Sequence, residues 1–243
     1  MPIVFWFGVS VVATATISGM FGMAGGMILM GIYASILPVP QAIMLHGITQ
    51  MSSNGSRFWI FRKHVYWTGV GYFAVGSAIS LALLASLGIV LEKATFFFVL
   101  GSIPLLALLL PKSRAPRFEV PAHAFACGLL VTSVQLLAGV AGPLLDVFFV
   151  RGGLNRHQVV ATKALTQTFS HLLKLVYFGA LLRTGWDQIP PAAVPVVLIA
   201  APIGTRLGKV VLDRMSEVGF RRWTTGLVVT IGLVYLARGF AAR

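Results

Sequence analysis

The sequence predicts an all-α polytopic membrane protein built from two inverted repeats, each a glycine-broken re-entrant helical hairpin followed by three transmembrane helices. Three observations carry the prediction. The composition is strongly apolar, a pattern recurs at a fixed shift of 117 residues, and Lys and Arg divide unevenly between alternate loops.

Hydrophobic residues make up 57% of the 243 and charged residues 10%, with a mean hydropathy of +0.89. Soluble domains carry roughly 25% charged residues, so this chain lacks the polar surface a soluble fold needs. Apolar stretches close to the roughly 20 residues that span a bilayer recur at Ile3–Met20, Val65–Leu87, Ala94–Leu110 and Arg222–Ala237. The net charge of +13 is spread thinly, with no basic run longer than Arg62-Lys63 or Arg221-Arg222. That distribution suits helix ends meeting anionic lipids on the cytoplasmic side rather than a nucleic acid. The lone Cys127 excludes an internal disulfide and a thiolate cluster, and no metal or cofactor is expected. The first apolar segment lacks a basic n-region and reads as a retained span.

The repeat places Gly22-Met23-Ala24-Gly25-Gly26 on Gly139-Val140-Ala141-Gly142-Pro143. Without a gap, the same shift pairs Gln41 with Gln158, Thr49-Gln50 with Thr166-Gln167, Ser53 with Ser170 and Arg57 with Lys174. Chance alignment of apolar residues is common; alignment of the few polar ones is not. The N-terminal repeat is therefore placed at 1–111, with a hairpin at 3–37 and helices at 41–61, 65–87 and 94–110. A linker at 112–119 leads to the C-terminal repeat at 120–243, with a hairpin at 121–150 and helices at 158–182, 192–205 and 220–237. The proline-rich helix at 192–205 is expected to kink.

Charge chooses between a hairpin and a single kinked crossing at each glycine break. With hairpins, thirteen cations share one side: Arg57, Arg62, Lys63, Lys112, Arg114, Arg117, Arg151, Arg156, Arg206, Lys209, Arg214, Arg221 and Arg222. Four lie opposite: Lys93, Arg183, Arg238 and Arg243. A single crossing would split the same residues nine to eight, so the hairpin is preferred. Hairpin plus three crossings puts the ends of each half on opposite sides, which inverts the halves. Both termini are then outside and the linker 112–119 is cytoplasmic. Trp59, Trp67 and Trp186 read as interfacial anchors.

The helix after each break carries a polar stripe. His46, Gln50, Asn54 and Arg57 are spaced 4, 4 and 3, and Lys163, Gln167, His171 and Lys174 repeat the spacing. Residues three and four apart share a helix face, and polar groups at membrane depth face a cavity or a partner. The stripes are rich in donors and poor in carboxylates, which suits an anion with several oxygen acceptors. Broken helices beginning at Gly25-Gly26 and Gly142 would turn free N–H groups toward the same anion. The candidate substrate-binding residues are thus Gly25, Gly26, His46, Gln50, Asn54, Arg57, Gly142, Lys163, Gln167, His171 and Lys174. Other readings stand beside this one. The glycines suit close helix packing, Arg57 and Lys174 suit snorkelling, and Asp146 suits either an ion pair with Lys163 or a coupling proton.

The run Gly22-Met-Ala-Gly-Gly26, with Pro40-Gln-Ala42, Ser53, Arg62-Lys63-His64 and Val65-x-Trp67, resembles the TauE/SafE family of sulfite exporters and related permeases. The resemblance covers almost the whole chain. It implies secondary transport of sulfite, thiosulfate or an organosulfonate across the plasma membrane; the sulfur comes from the resemblance alone. Ala24 and Pro143 stand where the family commonly has glycine. A cation- or proton-coupled carrier of another solute is the alternative. An intramembrane enzyme is disfavoured, because no Gly-x-Ser-x-Gly or His-Glu-x-x-His motif occurs.

Overall fold

A computed structural model describes residues 2–21, 24–184, 186, 188–212 and 217–243. Gly22 and Met23 of the first break and Arg214 of the charge pattern lie outside the described residues. Those described form an all-helical protein without strands.

The first half contains α1 (Pro2–Phe21), α2 (Ala24–Ile36), α3 (Val39–Phe61), α4 (Trp67–Leu87) and α5 (Lys93–Leu109). The second contains α6 (Pro121–Ala138), α7 (Gly142–Val147), α8 (Arg156–Leu175), α9 (Ala193–Leu212) and α10 (Glu217–Ala241). Helices α1, α4 and α6 are long and apolar enough to cross a membrane. Shorter apolar helices accompany them at Ala24–Ile36, Lys93–Leu109, Ala193–Gly208 and Thr225–Ala241. Large apolar side chains such as Phe5, Val75, Leu109, Ile199 and Leu233 are exposed on the outer helices, as lipid contact requires.

The dominant helix pairs are α1 with α9, α4 with α6, α3 with α8 and α5 with α10. Exchanging α1–α5 with α6–α10 returns the same four pairs. Glycines make three of these contacts close. A Cβ on Gly208 would lie 2.2 Å from the Thr16 carbonyl of α1, and one on Gly128 would lie 2.0 Å from the Phe73 carbonyl of α4. At the α5–α10 crossing, a Cβ on Gly101 would lie 2.7 Å from the Gly232 carbonyl. With no hydrophobic drive between helices in lipid, such backbone approach supplies the attraction.

Local sequence explains the element ends. Gly139 ends α6 with φ +74°, a conformation that favours glycine, and a side chain there would also strike Met30. Asn155 starts α8 with a capping box: its side chain accepts from the His157 and Gln158 amides, while the Gln158 side chain accepts from the Asn155 amide. Six residues of π-helix, Val176–Leu181, extend α8, and Tyr177 donates to the Ile89 carbonyl at 2.6 Å. The linker folds against the loop after α7, where Glu119 accepts from the Gly153 and Leu154 amides.

One helix is longer than its sequence suggested. The segment expected at 192–205 runs from Ala193 to Leu212, through Pro202. Proline removes the N–H that would bond the carbonyl four residues earlier. That carbonyl belongs to Leu198, and the Ser52 hydroxyl of α3 donates to it at 2.7 Å. A side chain from the neighbouring helix thus satisfies the group that the break would leave bare.

Candidate functional site

Helices α3 and α8 pack together, each carrying one polar stripe, and the end of α1, the start of α2 and the break between α6 and α7 border the same space. Together these elements enclose a cavity of about 410 Å³. Gly26, His46, Gln50, Asn54, Arg57, Gly142, Lys163, Gln167 and His171 line it, as does Asp146. The two stripes, 117 residues apart in sequence, thereby share one space.

Two of the sequence-derived residues stand elsewhere. Gly25 packs against α1, where an added Cβ would lie 1.9 Å from the Thr14 carbonyl. Its smallness serves helix packing, while its neighbour Gly26 faces the cavity beside Gln50, whose Nε2 a Cβ would meet at 2.7 Å. Lys174 does not snorkel. It is fully buried behind the wall, and its stem crosses α3 at Gly47.

Lys174 joins the two breaks. Its Nζ donates to the Gly139 carbonyl at 2.7 Å and to His46 Nδ1 at 3.1 Å. His46 Nε2 faces the Gly26 carbonyl at 3.0 Å. A carbonyl only accepts, so Nε2 carries the hydrogen and Nδ1 is the acceptor for Lys174. The chain Gly139–Lys174–His46–Gly26 therefore runs from one break to the other. The His171 ring stands 5.6 Å from that of His46, and Gln135 Nε2 donates to His171 Nδ1 at 2.8 Å.

Charge in the cavity is uneven. Asp146 forms an ion pair with Lys163, the only ion pair among the described residues. Arg57 of α3 and Arg206 of α9 also line the space, and no carboxylate among the described residues pairs with either. The lining is thus net positive, with amides and imidazoles between the cations, an arrangement suited to oxyanion recognition.

Sequence reasoning missed Ser18, Gln135, Thr205 and Arg206, all on the cavity wall. A signal for the first two was present. The shift of 117 pairs Ser18 with Gln135, four residues before each glycine break. Thr205 and Arg206 have no polar counterpart in the first half; Thr205 is placed by a 2.8 Å hydrogen bond with Ser53.

A family profile described as "Sulfite exporter TauE/SafE" matches residues 6–235. The chain belongs to the TauE/SafE sulfite exporter family. Every helix described above falls at least in part within the match, and both halves of the cavity are included. This TauE/SafE member is accordingly a multi-pass membrane protein of a transporter family, not of an enzyme family. Comparisons with curated proteins and with solved structures give no match.

Proposed function

We propose that this TauE/SafE protein is a secondary permease that carries a small sulfur-containing anion through the cavity between α3 and α8. One observation carries the reading: the two polar stripes, Gly26 at the start of α2 and the break before α7 line a single net-positive space. Amide, imidazole and guanidinium donors there match the oxygens of a sulfite, thiosulfate or sulfonate group. Gln50 and Gln167, repeat partners from opposite halves, are assigned to hold those oxygens. Arg57 and Arg206 supply the field that draws the anion in.

The mechanism assigned is alternating access by two inverted halves. Its support is the exchange relation among helix pairs and the thirteen-to-four division of cations. In this reading both breaks are re-entrant, the linker 112–119 is cytoplasmic, both termini are outside, and the protein resides in the plasma membrane. Anionic lipids contact the cytoplasmic cations.

The test is thermal stability of the purified protein against sulfite, thiosulfate, sulfate, sulfoacetate, taurine and chloride. A ligand at about 100 times its Kd stabilises by roughly 2.7 kcal/mol. The expected result is stabilisation by one or more sulfur anions, reduced in Gln50→Ala and Gln167→Ala. A folded protein indifferent to all six would overturn the reading.

A further inference from the structure

We propose that the Lys174–His46 pair is a proton-binding site, and that the anion is carried together with a proton held there. The inference rests on the anion reading above and adds the coupling ion to it. Asp146, the obvious acidic candidate for that proton, is already held by Lys163.

The groups around the pair define its chemistry. His171 of α8 stands beside it, and the cavity that His46 borders is lined by Lys163 of α8, Arg57 of α3, Asp146 of α7 and Arg206 of α9. From α6 comes the neutral Gln135, and from α2 the Gly26 carbonyl. Lys174 is fully buried without a carboxylate partner among the described residues. Its nitrogen has two acceptors, the Gly139 carbonyl and His46 Nδ1. Two acceptors satisfy the two hydrogens of a neutral amine. The third hydrogen of an ammonium has no acceptor among the described residues.

A monovalent charge at such a site is costly unless an opposite charge lies near. His46 separates Lys174 from the cavity, and its ring lies on the cavity wall. An anion beside His46 and His171 supplies the missing opposite charge. A proton taken from the aqueous phase onto the lone pair of Lys174, or onto His46 Nδ1, balances the anion in turn. Each ligand therefore strengthens binding of the other by the same factor. When the anion leaves, the proton leaves with it, and a monoanion crosses with no net charge.

The experiment is calorimetric titration of the full-length protein with thiosulfate, which does not itself titrate between pH 6 and 9. Tris, triethanolamine and imidazole are used as buffers, because their heats of ionisation differ and sulfonate buffers are themselves candidate ligands. The expected result is a binding heat that changes with buffer, corresponding to uptake of up to one proton, with affinity falling by as much as about tenfold per pH unit. Uptake should be lost in Lys174→Gln and in His46→Gln while a heat of binding stays measurable, and it should persist in Asp146→Asn. The two Lys174 and His46 variants guard against one failing to fold. Equal heats in all three buffers across the pH range would overturn the proposal. Uptake lost only in Asp146→Asn would also overturn it by moving the proton to Asp146. Absence of any binding heat would overturn the anion reading and the proposal together.

Discussion

Lys174 Nζ lies 2.7 Å from the carbonyl oxygen of Gly139, so a side chain from the last turn of α8 holds the turn that ends α6. That carbonyl belongs to the left-handed residue that ends α6. Lys174→Met removes the donor and leaves a buried acceptor unpaired, at a cost of about 1–3 kcal/mol. Lys174→Gln, which keeps an N–H near the same place, should lose less. Thermal melts of the two variants in one detergent check the order; an equal loss would mean that the hydrogen bond contributes nothing.

Adjacent glycines should behave oppositely. A methyl group at Gly25 meets α1 backbone at 1.9 Å, and backbone cannot step aside cheaply. At Gly26 it meets the far end of Gln50, which can rotate. Gly25→Ala is expected to destabilise by about 1–3 kcal/mol. Gly26→Ala should leave the melting temperature nearly unaltered and weaken stabilisation by anions several-fold. Gly71→Ala, where an added Cβ meets nothing within 4 Å, serves as the neutral control.

Ser52 should matter despite lying outside the polar stripe. Its hydroxyl satisfies the Leu198 carbonyl that Pro202 leaves unbonded. Ser52→Ala is expected to cost about 1–2 kcal/mol. In the background Pro202→Ala, which restores the helical N–H, the same substitution should cost much less. An equal penalty in both backgrounds would contradict this assignment.

Lys163 and Asp146 should show coupling in a double-mutant cycle read as anion affinity. Their side chains are 27% and 28% exposed, so the pair adds little to stability. Its larger role is to cancel a negative charge on the cavity wall. Lys163→Gln alone unmasks Asp146 and should weaken thiosulfate affinity by about tenfold or more. Lys163→Gln with Asp146→Asn should recover part of that loss. Thermal shifts titrated with thiosulfate give both affinities.

The helices were largely legible because membrane insertion imposes long apolar runs with abrupt ends. The segments expected at 41–61, 65–87 and 94–110 appear as Val39–Phe61, Trp67–Leu87 and Lys93–Leu109. The stripes were legible because polar residues are scarce enough here for their spacing to stand out. What sequence could not assign was direction around each helix near the breaks. Gly25 and Gly26 are identical in sequence terms, and only packing against Thr14 or Gln50 separates them. Lys174 reads as a cation near a helix end until Gly47 opens a path across α3 and Gly139 supplies a distant acceptor. Arg206 escaped because no repeat partner marks it; its place in the cavity wall follows from α9 lying against α3.

The packing of α1 on α9 bears on how the chain is made. The two helices are separated by most of the polypeptide, so α1 leaves the ribosome long before its main partner exists. During that interval the glycine-lined face of α1 stays open to lipid or to the insertion machinery, and assembly of the first half waits on the second. Two fragments severed within the linker 112–119 should each be short-lived when expressed alone and persist when expressed together. Quality control that monitors unassembled membrane helices would thus act on this protein through α1, at a stage when the cavity has not yet been enclosed.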